Sequence, residues 1–156
     1  METEKLSFIQ GKALKLLEQL SPDAVPRWGK MNAQQMVEHL NDFFRVSILE
    51  IQYPLVTPEE QLPKYKAFLE SDKEFRENTQ APETIVGAEP SPVLYGSLEE
   101  AIAHLNSTVE KFNSFFSNGT AVKTLHPVFG DLDFREWIRL HHKHLSHHLR
   151  QFGLIA

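Results

Sequence analysis

The chain has 156 residues, 41% hydrophobic and 24% charged, which is the composition of a globular domain. Its net charge of −5 excludes the broad basic surface that nucleic-acid binding requires. No apolar stretch approaches the ~20 residues of a transmembrane helix, and the N-terminus METEKLSFIQ lacks the pattern of a secretory signal peptide. We therefore expect one domain over 1–156, located in the cytoplasm, without nucleic-acid or membrane partners.

Cysteine is absent from the chain, whereas histidine occurs eight times. The absence of cysteine excludes disulfide bonds, a thiolate nucleophile and a cysteine-ligated zinc site. Any metal ion must therefore be held by histidine and oxygen ligands.

Two helices are predicted in the first third of the chain. Apolar residues recur at spacings of three and four over 3–20, and the pattern stops at Ser21-Pro22. A loop containing PRWGK follows. Asn32 and Gln35 then have the spacing of a capping box, in which each side chain bonds the backbone N–H of the other residue. This predicts a second helix over 33–51.

The stretch 52–96 is predicted to cross over between helices without forming a separate domain. It holds six of the nine prolines. Residues 64–75 are compatible with a short helix, whereas APETIVGAEPSP is expected to be a loop. The candidates for β-strands are 84–86 and 92–95.

Two further helices are predicted in the second half. Capping boxes begin at Ser97 and Asp133, and stop signals containing glycine follow at Asn118-Gly119 and Gly153. Long helices with one extended connection predict an all-α fold. The expected architecture is a four-helix bundle of up-down-down-up topology, with the long crossover between the second and third helices.

A run of histidines lies in the last helix, in the sequence WIRLHHKHLSHHLRQFG. At about 100° per residue, three of them share the inward stripe of Trp137 and Gln151, while His142 points away. The opposite side should face solvent, and it carries Arg139, Lys143, Ser146 and Arg150. A buried imidazole costs a few kcal/mol unless it is satisfied. The inward stack therefore favours a metal site, and its members are His141, His144 and His148.

Spacing along this helix selects the ligand pair. Two histidines four residues apart are about 6 Å apart along the axis, close enough to share one ion. We favour His144 with His148, while the pairs of His144 with His141 or with His147 stay open. A third ligand must come from another helix, and His39, at the rim of the second helix's apolar arc, is the best candidate.

Other polar residues have plainer interpretations. A lone histidine at a core edge is more often packed than metal-bound, and this applies to His39, His104 and His126. Glu38 and Asp42 are expected on solvated faces, although Asp42 could reach the edge of the site.

Two signatures resemble a known family. PRWGKM from Pro26, with Gln35-Met36 and His39-Leu40, forms the first. HPVFG from His126, with KHLSHHLRQFG from Lys143, forms the second. Together they resemble a domain-of-unknown-function branch of the DinB-like (YfiT-like) metalloenzyme superfamily. The superfamily pattern His-x-x-His-His-x-x-Gln is matched by His144, His147, His148 and Gln151.

The resemblance implies a helical bundle that binds a divalent ion, zinc, nickel or iron, through His39, His144 and His148. Known members include thiol-dependent transferases and an isomerase, which implies a small-molecule substrate such as a low-molecular-weight thiol. A homodimer is common for this fold. The large apolar side chains beside the motifs, Trp28 and Trp137, are expected to be buried.

Two classes of function stay open. Three protein ligands would leave a coordination position for water or substrate, as in catalytic sites, and the candidates for catalysis are then His147, Gln151 and His141. The alternative is a non-catalytic, metal-stabilised bundle that serves as a binding or structural module. A fourth protein ligand would favour this alternative.

Overall fold

The computed structural model describes residues 2–79, 82–87, 89–117 and 122–156, and most of them are helical. A π-helical turn, Phe8–Lys12, makes the first two helices continuous, and a 3-10 turn, Glu59–Gln61, precedes the fourth. The helices are α1 (Glu2–Ser7), α2 (Ala13–Glu18), α3 (Ala33–Ser47), α4 (Leu62–Glu70), α5 (Glu83–Val86), α6 (Leu98–Phe116) and α7 (Phe134–Gln151). The expected all-α class is confirmed.

Capping boxes start the two helices that carry the histidines of the predicted site. At α3, the Asn32 side chain accepts the N–H of Gln35, and the Gln35 side chain accepts the N–H of Asn32. Asp133 and Glu136 form the same reciprocal pair at α7. Each box satisfies backbone donors that the first helical turn leaves unpaired.

The start of α6 differs from the predicted box. Ser97 Oγ accepts the N–H of Glu100, but Glu100 Oε2 accepts the N–H of Gly96 rather than that of Ser97. α6 ends at Phe116. The predicted stop at Asn118-Gly119 lies outside the described residues.

α3 is shorter than its apolar pattern predicted. It ends at Ser47 rather than near residue 51. Leu49 then adopts the left-handed region with a φ of 66°, which a helix cannot continue through. At the other predicted end, Gly153 has a φ of 72° and closes α7 as expected.

Both strand candidates in the crossover are wrong. Residues 83–86 form the single helical turn α5 within the predicted loop, and 92–95 contain no strand. The strands lie instead at β1 (Thr124–His126) and β2 (Gly130–Leu132), paired antiparallel with His126 opposite Gly130. Three-residue strands are too short to show an alternating pattern.

The buried apolar side chains form one cluster, in which α3 packs against α6 and α7. Trp137 is fully buried, as expected, whereas Trp28 is only half-buried. Lys143 and Ser146 were expected to face solvent, but their exposed fractions are only 7% and 8%. For Lys143 the expectation failed because the crossover covers this position: the backbone carbonyls of Ser71 and Lys73 accept from its Nζ.

No helix of the described ranges combines the length and apolar character needed to cross a bilayer.

Candidate metal centre

Three histidine rings from two helices converge in the interior. His39 lies on α3, and His144 and His148 lie on α7. The Nε2 atom of His144 is 3.0 Å from that of His39 and 3.1 Å from that of His148. One potential ligand atom from each ring lies within 4.8 Å of the other two. The three residues that sequence spacing and the family resemblance selected are therefore brought together.

Burial keeps these imidazoles uncharged at neutral pH. It lowers the pKa of His39 to about 4, with the nearby His147 adding to the effect. Burial is also the main reason why the pKa values of His144 and His148 lie well below the usual range. His148 is 6% exposed, whereas His39 and His144 keep part of their rings accessible. Neutral rings keep lone pairs, which metal coordination requires.

A hydrogen-bonded relay fixes the tautomer of His148. The Trp28 carbonyl accepts from Gln151 Nε2 at 2.9 Å, so the amide oxygen of Gln151 points to His148 Nδ1, 2.7 Å away. That oxygen only accepts, which assigns the proton to Nδ1 and leaves the lone pair on Nε2. Metal-bound histidines commonly use their second nitrogen in this way.

Gly29 provides room for this relay. Its φ is 82°, and a Cβ atom built on it would lie 2.9 Å from Gln151 Nε2. Any other residue would be strained in this left-handed conformation and would press on the amide. The glycine of PRWGK therefore lets the loop approach the end of α7 closely.

Hydrogen bonds cannot satisfy all three Nε2 atoms. His148 presents a lone pair, so His144 Nε2 must carry a proton to avoid two facing lone pairs. That single proton can point at His148 or at His39, but not at both. A cation that accepts all three lone pairs removes the conflict. Nitrogens at 2.0–2.1 Å from a tetrahedral ion lie roughly 3.3 Å apart, close to the two short separations seen here, so the rings fit a divalent ion.

Aromatic side chains enclose the cluster. The Phe43 ring packs against His39 and His144 with centroids 5.1 and 5.5 Å away. The Phe75 ring packs on the other side, 6.5 Å from His144 and 5.8 Å from His147. The two phenylalanine rings give the cluster apolar neighbours on both sides.

His147 lies beside the cluster but outside it. Its ring centroid is 5.0 Å from that of His148 and 5.3 Å from that of Trp28. The ring is 4% exposed, and Nδ1 has no hydrogen-bond partner within the described part of the chain. Burial is the main reason that the pKa of His147 is lowered. An unpaired buried nitrogen costs about 1–3 kcal/mol.

His141 is packed among aromatic rings away from the three Nε2 atoms. It stacks on Phe44 at a centroid distance of 3.7 Å and on Trp137 at 5.2 Å. Its Nε2 lies 3.2 Å from Ser47 Oγ, which satisfies it. This position favours the packed-ring interpretation over a catalytic one.

His126 and His104 are also outside the cluster. His126 Nδ1 accepts the backbone N–H groups of Val128 and Phe129 and so organises the β1–β2 turn. Burial lowers the pKa of His126 to about 3. His104 is exposed and stacks on Tyr95 at 4.0 Å. Neither belongs to the group of three clustered histidines.

The acidic residues near His39 have different roles. Glu38 was expected on a solvated face, but its carboxylate accepts the N–H groups of Leu94 and Tyr95 and so ties the crossover to α3. Asp42 is exposed, and its carboxylate lies 3.8 Å from the Arg45 guanidinium. Neither belongs to the histidine cluster.

Phe75 and the Trp28 carbonyl are parts of the site that were not predicted from the sequence. The crossover carried no periodicity that could place Phe75 against α7, and a backbone carbonyl leaves no residue-type signal. The glycine in PRWGK was the available sign of a close backbone approach.

Comparison with known proteins identifies a family for the chain. A sequence model of the DinB superfamily matches residues 5–152. No curated protein sequence and no solved structure matches the chain. The family match spans α3 and α7 and all three clustered histidines, so the chain belongs to the DinB superfamily.

Proposed function

We propose that this protein is a divalent-metal-dependent enzyme whose ion is bound by His39, His144 and His148. The convergence of their Nε2 atoms carries the proposal. No fourth histidine, aspartate or glutamate joins them in the ranges that the structure describes. Three protein ligands leave a coordination position for water or substrate, which is the pattern of catalytic rather than structural sites.

The bound ion would lower the pKa of a coordinated water or thiol. Gln151 orients His148 through Nδ1, and its amide oxygen is therefore occupied rather than free to ligate. Phe43 and Phe75 pack against His144 and give the site an apolar edge. His147, with its unpaired Nδ1, is the group best placed to carry a proton beside the ligand His148.

The reaction class rests on the superfamily resemblance. We propose a transferase or related activity on a low-molecular-weight thiol, with zinc, nickel or iron as the ion. We further propose that α1–α2, α3, α6 and α7 form an up-down-down-up four-helix bundle. A single domain, a homodimer and a cytoplasmic location remain predictions.

Cobalt substitution tests the proposal. The purified protein should bind one Co²⁺, and glutathione or cysteine should shift its absorbance with saturation, because a thiol would ligate the open position. His39→Ala should abolish both the binding and the shift. His104→Ala is the matched control, because that histidine is exposed on α6, and it should behave like the parent.

Three outcomes would contradict the proposal. Metal-repleted protein without a stoichiometric ion, or His144→Ala binding the ion as tightly as the parent, would exclude the metal site. Tight cobalt binding with no spectral change on adding any small thiol or carboxylate would instead favour the non-catalytic module.

A further inference from the structure

A cavity of about 610 Å³ lies between α4, residues 73–79 and Phe129. Its least exposed walls are aromatic. Phe68 lies 5.2 Å from Phe75 and 6.4 Å from Phe129, and Tyr65 lies 5.8 Å from Phe129, measured between ring centroids. The volume is within the usual range for small-molecule sites, roughly 300–1,000 Å³.

Three cationic side chains line the outer part of the cavity, around these aromatic rings. Lys64, Lys73 and Arg76 line the cavity and are exposed. None of the three forms an ion pair with another described residue, whereas the lining acid, Glu74, lies 3.1 Å from Arg150. These three cations without an ion pair contrast with the net charge of −5 of the whole chain. The cationic side chains attract an anion, while the aromatic rings can pack against a flat apolar group.

We propose that this cavity binds an organic anion with a flat apolar body, whose carboxylate or phosphate contacts Lys73 and Arg76. Arg76 offers a planar fork of donors that suits either group, and Lys73 adds a compact charge. The aromatic rings hold the apolar part of the ligand. This anion site does not depend on a bound metal.

Phe75 connects the cavity with the histidines. One side of its ring lines the cavity, and the ring also packs against His144 and His147. A ligand that contacts Phe75 in the cavity is therefore one aromatic ring away from the metal centre. If the metal centre is the reaction site, as the proposed function has it, this cavity binds the charged part of the substrate.

Lys143 anchors the side of the cavity that Phe68 and Lys73 form. Its Nζ donates to the backbone carbonyls of Ser71 and Lys73 and lies 4.7 Å above the Phe68 ring. It directly precedes His144 on α7. The helix that carries two of the histidines thus also fixes the segment that leads to Phe75.

Calorimetric titration of the metal-free protein tests the anion site. The probes are 2-naphthoate, 2-naphthyl phosphate and the neutral 2-naphthamide. At least one anion should bind roughly tenfold more tightly than the amide, because a hydrogen bond to a charged group is the stronger kind, and added salt should weaken it. The tighter of the two anions identifies the group that is recognised.

The double variant Lys73→Gln/Arg76→Gln should lose roughly tenfold in affinity for the anions and keep its affinity for the amide. The control Lys12→Gln/Lys15→Gln removes the same charge from exposed positions of the first helical segment, and it should bind like the parent. Equal binding of amide and anions, no binding, or the same loss in both double variants would overturn the anion site.

The link to the metal is tested on cobalt-loaded protein with 4-mercaptobenzoate and its neutral amide. The carboxylate should lower the concentration that half-saturates the spectral shift, and Lys73→Gln/Arg76→Gln should remove this advantage. Equal half-saturation would separate the cavity from the metal site while leaving the anion site standing. Naphthoate binding without any cobalt binding would refute the proposed function alone.

Discussion

Gln151 determines which nitrogen of His148 faces the centre of the cluster, since its amide is held by the Trp28 carbonyl. Gln151→Leu removes the acceptor and leaves His148 Nδ1–H unpaired. We expect metal affinity to fall about 10–100-fold, the usual effect of losing such a partner, in a competition assay with a chromogenic chelator. Gln10→Leu, at an exposed position, is the control and should bind like the parent. Equal affinity in both variants would contradict the orienting role.

His126 should make the metal-free protein sensitive to acid. Its pKa is about 3 in the folded protein, against about 6.5 when unfolded. Between these values the unfolded state binds the extra proton, so stability is complete above pH 6.5 and falls as the pH drops towards 3. His126→Asn keeps an acceptor for the turn but removes the titration. The parent's stability advantage over this variant should therefore shrink by roughly 2 kcal/mol between pH 6 and pH 4.

Urea unfolding at pH 8, 6 and 4 measures this effect. At pH 8 the histidine is neutral in both states, so the difference in stability there reports the changed packing and turn geometry alone. A constant difference from pH 8 to 4 would show that His126 does not contribute to acid unfolding.

Residue spacing predicted the ligands better than it predicted their surroundings. His144 and His148 are four apart on a helix, and this alone places two rings on one side. The prediction of His39 as the third ligand depended on its position beside the apolar arc of α3 and on the family resemblance. Lys143 was placed in solvent because a helical wheel shows which residues share a side, but not whether another segment covers that side.

At the level of elements, the crossover covers the side of α7 that carries Lys143, although the residues on that side are polar. Lys143→Met should release residues 71–79, because the carbonyls of Ser71 and Lys73 lose their donor. We expect faster amide hydrogen exchange in that segment and a loss of about 1–3 kcal/mol in unfolding free energy. Lys15→Met, at an exposed position of α2, should change neither. Unchanged exchange in 71–79 would exclude the anchoring role.

Local signals predicted element starts better than element ends. The boxes at Asn32 and Asp133 form as expected because each is complete within four residues. The end of α3 was misplaced because apolar residues continue to Ile51 although the backbone turns at Leu49. In the β1–β2 hairpin, His126 accepts two N–H groups of the turn that follows it, a local role that histidine as a residue type does not indicate.

For the whole molecule, the three histidines make the metal a link between distant parts of the chain. His39 and His144 are 105 residues apart in sequence, yet their Nε2 atoms are 3.0 Å apart. In the metal-free protein these nitrogens face one another with one contact unsatisfied. An ion that binds only the folded arrangement must therefore stabilise the packing of α3 against α7.

Metal addition should raise the melting temperature in proportion to its binding free energy. An ion at 100 times its Kd contributes about 2.7 kcal/mol, which corresponds to roughly 5–10 °C for a chain of this length. Scanning calorimetry with and without Zn²⁺ or Ni²⁺ measures the shift. His144→Ala should show no rise, because only His39 and His148 would remain, whereas His104→Ala should rise like the parent. An equal rise in His144→Ala would mean that the ion binds elsewhere and does not link α3 to α7.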